Sequence, residues 1–139
     1  MTTKISAKPI TTTDPVLDQT VLAQYAQRKT GLLERLVAAY LEETPGFHQE
    51  LRNGAQAGNF DQVKFNAHVL KSSSSNLGAV RLSQLCQGLE SSAVAQDSAE
   101  IDRLIEWLGP ECFEVEEALK NLVLKLTGKT FTGAQMGTL

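Results

Sequence analysis

Apolar residues recur at spacings of three and four along most of this chain, and this periodicity limits the fold more than any other feature. A stripe with this spacing covers one face of an α-helix, whereas the alternation typical of β-strands is absent over any useful length. The sequence therefore predicts an all-α protein in which each helix buries one face. The clearest stripe consists of Leu82, Leu85, Cys86, Leu89 and Ala93.

Helix-terminating residues divide the periodic sequence into five helical regions. The connections between the later regions are short, so neighbouring helices should pack antiparallel. The predicted architecture is an antiparallel up-down four-helix bundle, with the short first helix as an extra N-terminal element that covers one end. The predicted regions are residues 18–27, Leu32 to the Gly58-Asn59 turn, 60–76, 79–95, and a last region that begins after Ser98 as its N-cap.

Two prolines lie inside these helical regions and leave alternatives open. Pro45 either kinks the second region or begins a new helix, because proline disfavours helix in the preceding residue but fits a first helical turn. Gly109-Pro110 either kinks the last region or splits it into two helices.

The length of 139 residues suits one domain, predicted to cover residues 15–127. Residues 1–14 are predicted as a flexible arm or linker and residues 128–139 as a flexible tail, since neither segment has a helical pattern. The net charge of −3 does not suit a nucleic-acid binder. Apolar runs are too short for a transmembrane helix and no signal-peptide core is present, which predicts a cytoplasmic protein without membrane contact.

The third helical region displays a histidine, His68, on its polar side. A helical wheel places its apolar stripe within about 80°. His68 lies in the middle of the opposite strip, with Lys64 four residues before it and Lys71 three residues after it. The neutral imidazole of an exposed histidine is a good nucleophile near pH 7, so His68 is the candidate catalytic residue. The predicted buried stripe is Val63, Ala67, Leu70, Ser74 and Leu77, and Phe65 and Val69 form a second apolar edge.

Other residues that could carry chemistry have ordinary explanations. His48 has no comparable context and is predicted to be a surface histidine. Cys86 and Cys112 both fall on apolar stripes, which favours buried thiols over a disulfide or redox pair. The acidic residues within 111–117 are predicted to form a solvated helix face. Two separate histidines without matching carboxylates or thiolates predict no metal site, and the glycine-rich phosphate loop of ATP-binding proteins is absent.

The run from Ala67 to Ala79, followed by leucines, a leucine-cysteine pair and a leucine-glutamate pair that ends at Glu90, resembles the motif of histidine-containing phosphotransfer (HPt) domains. The family pattern is alanine-histidine-any-leucine-lysine-glycine-small-small, then leucine-glycine-alanine. The match is ungapped, and the resemblance covers about residues 16–126. One residue departs from the pattern: Ser72 occupies the position where the family usually has glycine, which is expected to preserve the site while altering partner affinity or transfer rate.

The resemblance implies a phosphorelay intermediate. His68 would accept a phosphoryl group from a receiver-domain aspartate and pass it to an aspartate of another receiver. The module would have no ATP site of its own, and any kinase activity would belong to a parent hybrid sensor histidine kinase. Its partners would be receiver domains, and a receiver would supply the Mg²⁺. A complete bundle with one exposed polar site also favours a monomer.

The resemblance also implies roles for individual residues. Lys71 would stabilise charge during transfer, and Glu90 is expected to orient His68 or Lys71. The residues expected to contact the phosphoryl group or a partner are Lys64, Ser72, Ser75, Gly78 and Glu90. An alternative function remains, a helical docking module that binds receiver or kinase domains without transferring phosphate. Such a module would typically lose the histidine or the lysine, so the presence of both favours transfer.

Overall fold

Five α-helices account for most of the residues that the structure describes. The computed structural model describes residues 15–28 and 31–128, and no residue in those two ranges belongs to a β-strand. The prediction of an all-α protein is therefore confirmed. The arm predicted for residues 1–14 and nearly all of the tail predicted for residues 128–139 lie outside the described residues. The helices are α1 (Gln19–Arg28), α2 (Leu32–Ala57), α3 (Phe60–Asn76), α4 (Val80–Val94) and α5 (Ser98–Thr127).

Each of the four longer helices packs against two of the others. Helix α2 contacts α3 and α5, and α4 contacts the same two helices, whereas α1 packs against α2. The turns that join α2 to α3, α3 to α4 and α4 to α5 contain only two or three residues, so consecutive helices run in opposite directions. Helices α3 and α5 consequently lie diagonally across the structure from each other.

Both helices that contain a proline continue through it. Pro45 lies inside α2 and Pro110 inside α5, so a new helix at Pro45 and a split at Gly109-Pro110 are both wrong. Both prolines are exposed, so each ring lies on the solvent side of its helix, away from the core. Leu41 and Leu51, on either side of Pro45, are both buried, so core packing continues across the proline.

Side chains cap the N-termini of α1, α3 and α5, and at α1 the Asp18 carboxylate accepts a hydrogen bond from the Thr20 amide at 3.1 Å. Asn59 accepts a hydrogen bond from the backbone amide of Gln62 at 3.1 Å at the start of α3. At the start of α5, Asp97 accepts one from the amide of Glu100 at 3.1 Å. The N-cap predicted at Ser98 is therefore one residue too late, because the carboxylate of Asp97 reaches the third helical amide.

The predicted core of α3 is buried as expected. Its one polar member, Ser74, is hydrogen-bonded to the Tyr40 hydroxyl at 2.9 Å, so it adds no unpaired polar atom to the core. Cys86 is buried, Cys112 is partly buried, and they form no disulfide, as predicted. His48 is partly buried rather than on the open surface, and it accepts a hydrogen bond from Arg52. The predicted stripe, all of it buried, is Val63, Ala67, Leu70, Ser74 and, directly after α3, Leu77.

The turn between α3 and α4 is bound to the segment that precedes α1. Gly78 has a φ of +74°, and a Cβ atom at this position would lie 2.8 Å from the carbonyl oxygen of Asp18. The Asp18 amide donates to the Gly78 carbonyl at 2.6 Å, and the Tyr25 hydroxyl donates to the Asn76 carbonyl at 3.1 Å. Gly78 is therefore required both for its backbone conformation and for this close approach.

Within the described ranges, no helix is long and apolar enough to cross a membrane.

Candidate functional site

The candidate site lies on the surface formed by α3 and α4. Side-chain contacts join the two antiparallel helices in register, among them His68 with Glu90, Lys71 with Gln87, and Ser75 with Ser83. Because side chains three or four residues apart share one face of a helix, these contacts follow a single line along the helix pair. The antiparallel turn at Gly78 thus brings the α3 motif beside the polar face of α4.

His68 is held by a carboxylate on one side and open to solvent on the other. Its Nδ1 lies 3.0 Å from Oε2 of Glu90, and its side chain is 60% exposed, whereas that of Glu90 is only 18% exposed. An ionised carboxylate can only accept hydrogen bonds, so Nδ1 carries the proton of the neutral ring. The lone pair is therefore on Nε2, which is the nucleophilic nitrogen.

Glu90 also binds Lys71, and the two contacts together keep it ionised. The Lys71 ammonium donates to Oε1 of Glu90 at 2.7 Å. This hydrogen bond, followed by the one from His68, holds the pKa of the Glu90 carboxyl below its ordinary value of 4.5. Glu90 was expected to orient His68 or Lys71, and the structure shows it in contact with both. One carboxylate thus sets the positions of the imidazole and the ammonium.

A shallow cavity of about 430 Å³ adjoins His68. Phe65 is 65% exposed at this cavity, although most large apolar side chains of the described residues are buried. An exposed aromatic ring beside an exposed nucleophile suits a surface that binds a partner transiently. The lining residues are Asp61, Lys64, Phe65, His68 and Glu90.

The other predicted site residues lie at increasing distances from His68. Ser72 is exposed one turn along the same face of α3. Ser75 is hydrogen-bonded to Ser83 at 2.7 Å, about 10 Å from His68 along the helix axis. Gly78 lies farther still, in the turn against Asp18. Direct contact of Ser75 or Gly78 with a phosphoryl group on His68 does not fit these positions, and their contact with a partner stays a prediction.

Gln87 is a member of the site that sequence reasoning missed. Its Oε1 accepts from the Lys71 ammonium at 2.9 Å, and its Nε2 donates to the Ser91 hydroxyl at 3.2 Å. Gln87 lies three residues before Glu90 and therefore on the same face of α4, which is the signal that could have identified it.

The motif match is supported by comparison with a family model. The model of the Hpt domain matches residues 35–127, which is most of the chain. The chain belongs to the Hpt domain family. Its role is therefore histidine phosphotransfer in phosphorelays, with receiver domains or kinases as the partners.

A solved structure agrees with this assignment. This Hpt domain is similar to histidine-containing phosphotransfer protein B (HptB) from Pseudomonas aeruginosa PAO1, with 30% sequence identity and a TM-score of 0.74. The similarity covers 77% of this chain and 93% of that chain. A search of curated proteins gave no match. Since the family match begins at residue 35, helix α1 lies outside the matched part of the domain.

Proposed function

We propose that this Hpt domain carries a phosphoryl group on Nε2 of His68, between the aspartates of two receiver domains. The observation that carries the proposal is the exposed imidazole whose Nδ1 is bound to an ionised carboxylate. The motif around His68 and the family match support the same nucleophile. Phosphoryl uptake from a phosphorylated receiver by the wild-type chain, and its loss in His68→Gln, tests the proposal.

In the transfer step, the lone pair of Nε2 attacks the phosphorus of the aspartyl phosphate. The bond between phosphorus and Nε2 forms as the bond between phosphorus and the aspartate oxygen breaks, and the leaving carboxylate keeps the electron pair. Nδ1 retains its proton, so the ring gains positive charge, which the carboxylate of Glu90 offsets. Transfer to the second receiver is the reverse reaction with a different aspartate.

Lys71 is proposed to stabilise the negative charge of the phosphoryl oxygens. Its ammonium is held beside His68 by Glu90, and its side chain is 23% exposed, so it can reach a group that arrives from solvent. Lys64 borders the same cavity and adds positive potential, and Ser72 is available to donate a hydrogen bond.

Several further parts of the proposal concern the whole domain. The Mg²⁺ that neutralises phosphoryl charge is expected to arrive with the receiver, and a hybrid sensor histidine kinase is an expected upstream partner. The domain is proposed to act as a monomer, and its cytoplasmic location stays a prediction. The helix contacts support an antiparallel up-down four-helix bundle formed by α2 to α5, with α1 as the extra N-terminal helix.

Replacement of Lys71 by alanine is expected to slow phosphoryl transfer without preventing it. The variant keeps the nucleophile but loses the ammonium that shares Glu90 with it, and removal of one such electrostatic contact typically costs about 10²- to 10³-fold in rate. The rate of phosphoryl uptake in rapid-quench experiments checks this. Lys125→Ala, at the far end of α5, is the control and should react like the wild type. An unchanged rate in Lys71→Ala would remove Lys71 from the mechanism.

Phe65→Ala is expected to raise the Kd for a receiver about tenfold, which corresponds to about 1.4 kcal/mol. Phe65 offers an exposed apolar surface beside the nucleophile, and phosphorelay encounters are transient, with interfaces of less than about 1,200 Å². Calorimetric titration with a receiver measures the effect. Phe113, on the diagonally opposite helix, is 61% exposed and provides the matched control. Equal weakening by Phe113→Ala would place the docking surface elsewhere.

The interactions of Glu90 predict a pH dependence of stability. Because its pKa is lowered in the folded state, its ionisation stabilises the fold above the unfolded-state value of about 4.5, and this stabilisation is lost as pH falls through the folded-state value. Urea unfolding should therefore show Glu90→Gln to be less stable than the wild type at pH 7, with the difference shrinking below pH 4.5. The exposed Glu106 offers a control, Glu106→Gln, for which little difference is expected. A difference that grows on acidification would contradict the assignment.

A further inference from the structure

Gln87 completes a line of hydrogen bonds that ends at the nucleophile. The line runs from the Ser91 hydroxyl through the Gln87 amide to the Lys71 ammonium, and from there through Glu90 to Nδ1 of His68. An ammonium can only donate, so the carbonyl oxygen of the Gln87 amide must face Lys71. The amide nitrogen then faces Ser91, at 3.2 Å, which fixes the orientation of the side chain.

We propose that Gln87 is a positioning residue for phosphoryl transfer, and that it acts through Lys71. The inference rests on the proposed function of His68 and Lys71. Gln87 lies on α4 one turn before Glu90, and its hydrogen bonds go to Lys71 and Ser91, so its effect on the reaction is argued to pass through the ammonium.

Lys71 needs a second acceptor because Glu90 is shared. One oxygen of Glu90 binds Lys71 and the other binds His68, so the carboxylate gives the ammonium a single contact, at 2.7 Å. A lysine side chain has four flexible methylene groups and loses considerable rotamer freedom when it is fixed. The contact from Gln87, at 2.9 Å, holds the ammonium between two acceptors on α4 and keeps it beside His68.

The neutrality of Gln87 matters as much as its acceptor oxygen. A carboxylate at position 87 would bind Lys71 more strongly, but it would add a second negative charge near an anionic phosphoryl group. The amide anchors the ammonium and leaves the positive charge of Lys71 available to the phosphoryl oxygens. Gln87→Glu is therefore expected to slow transfer even though it keeps an acceptor for Lys71.

A double-mutant cycle on transfer rates tests the proposal. Single-turnover uptake of phosphoryl groups from a phosphorylated receiver is measured with Mg²⁺ for the wild type, Gln87→Ala, Lys71→Ala and the double variant. Gln87→Ala is expected to react about fivefold more slowly at saturating receiver, with an unchanged half-saturating receiver concentration, and to reach the same final phosphorylation. In the Lys71→Ala background, the same substitution is expected to have no further effect.

A control variant and a stability measurement complete the experiment. Gln84→Ala, three residues earlier on α4, should react at the wild-type rate, and urea unfolding verifies that each variant is folded. Equal slowing by Gln87→Ala in both backgrounds would overturn the role through Lys71, and so would an unchanged rate or a changed half-saturating concentration alone. Failure of the wild type to take up phosphate would instead overturn the proposed function, on which this role depends.

Discussion

Replacement of His68 by glutamine is expected to abolish phosphoryl uptake while leaving the helical content unchanged. The glutamine side chain keeps a polar group near Glu90, but it has no nitrogen with an available lone pair to attack phosphorus. His68 is 60% exposed, so the substitution removes little packing. The loss should therefore be complete in the transfer assay and small in thermal unfolding.

The measurement uses a receiver domain phosphorylated in the presence of Mg²⁺ and mixed with each variant. A phosphohistidine is identified as a phosphate that is labile in acid and stable in base. His48→Gln is the matched control, because it replaces the other histidine of the chain, on α2. This variant should take up phosphate like the wild type. Uptake by His68→Gln would disprove the assignment. No uptake by the folded wild type from several receivers would favour the docking module or a site compromised by Ser72.

Arg81→Ala is expected to lower the free energy of unfolding by about 3 kcal/mol, the largest effect on stability predicted for a single charged residue of this domain. The Arg81 guanidinium donates to Glu111 at 2.9 Å and to Glu114 at 3.2 Å, which joins α4 to α5. The Arg81 side chain is 11% exposed and that of Glu111 only 2%. Removal of the guanidinium takes away a cation that lies 2.9 Å from a buried carboxylate and offsets its burial.

Urea unfolding at pH 7 measures this effect against a partly exposed pair on α5. Arg103 pairs with Glu100, and both side chains are about one-third exposed, so Arg103→Ala should cost less than about 1 kcal/mol. Replacing the buried pair together, with Arg81→Met and Glu111→Leu, should restore much of the stability lost in Arg81→Ala, because it removes both buried charges. Similar losses of unfolding free energy in Arg81→Ala and Arg103→Ala would show that the buried ion pair contributes no more to stability than the partly exposed one.

The helices and much of the site could be predicted from the sequence because both depend on local spacing. The α3 stripe, the exposed position of His68 and the reach of Lys71 follow from 3.6 residues per turn. The motif added Glu90 as a partner, without showing whether it would contact His68, Lys71 or both. The sequence left a kink or a break open at each proline because propensity is local, whereas the buried leucines on both sides of Pro45 stabilise α2 across it.

Other features depended on which helices become neighbours. Glu111 belongs to an acidic stretch predicted to be solvated, yet it is buried and paired with Arg81, thirty residues earlier. Gln87 contacts Lys71 across the α3–α4 interface, and Gly78 is fixed by Asp18, sixty residues earlier. Periodicity contains no information about such pairs, since it describes one helix at a time.

The sequence by itself determined the helical class, the stripe that each helix buries and the nucleophile that α3 exposes, because all three follow from the order of residues along a single helix. Only the tertiary structure decided that one carboxylate serves both His68 and Lys71, that Gln87 holds the ammonium, and that Arg81 and Glu111 are buried as a pair. The physical reason is that these interactions exist only once two helices pack in one register. That register depends on the short turns and on core packing across the whole domain.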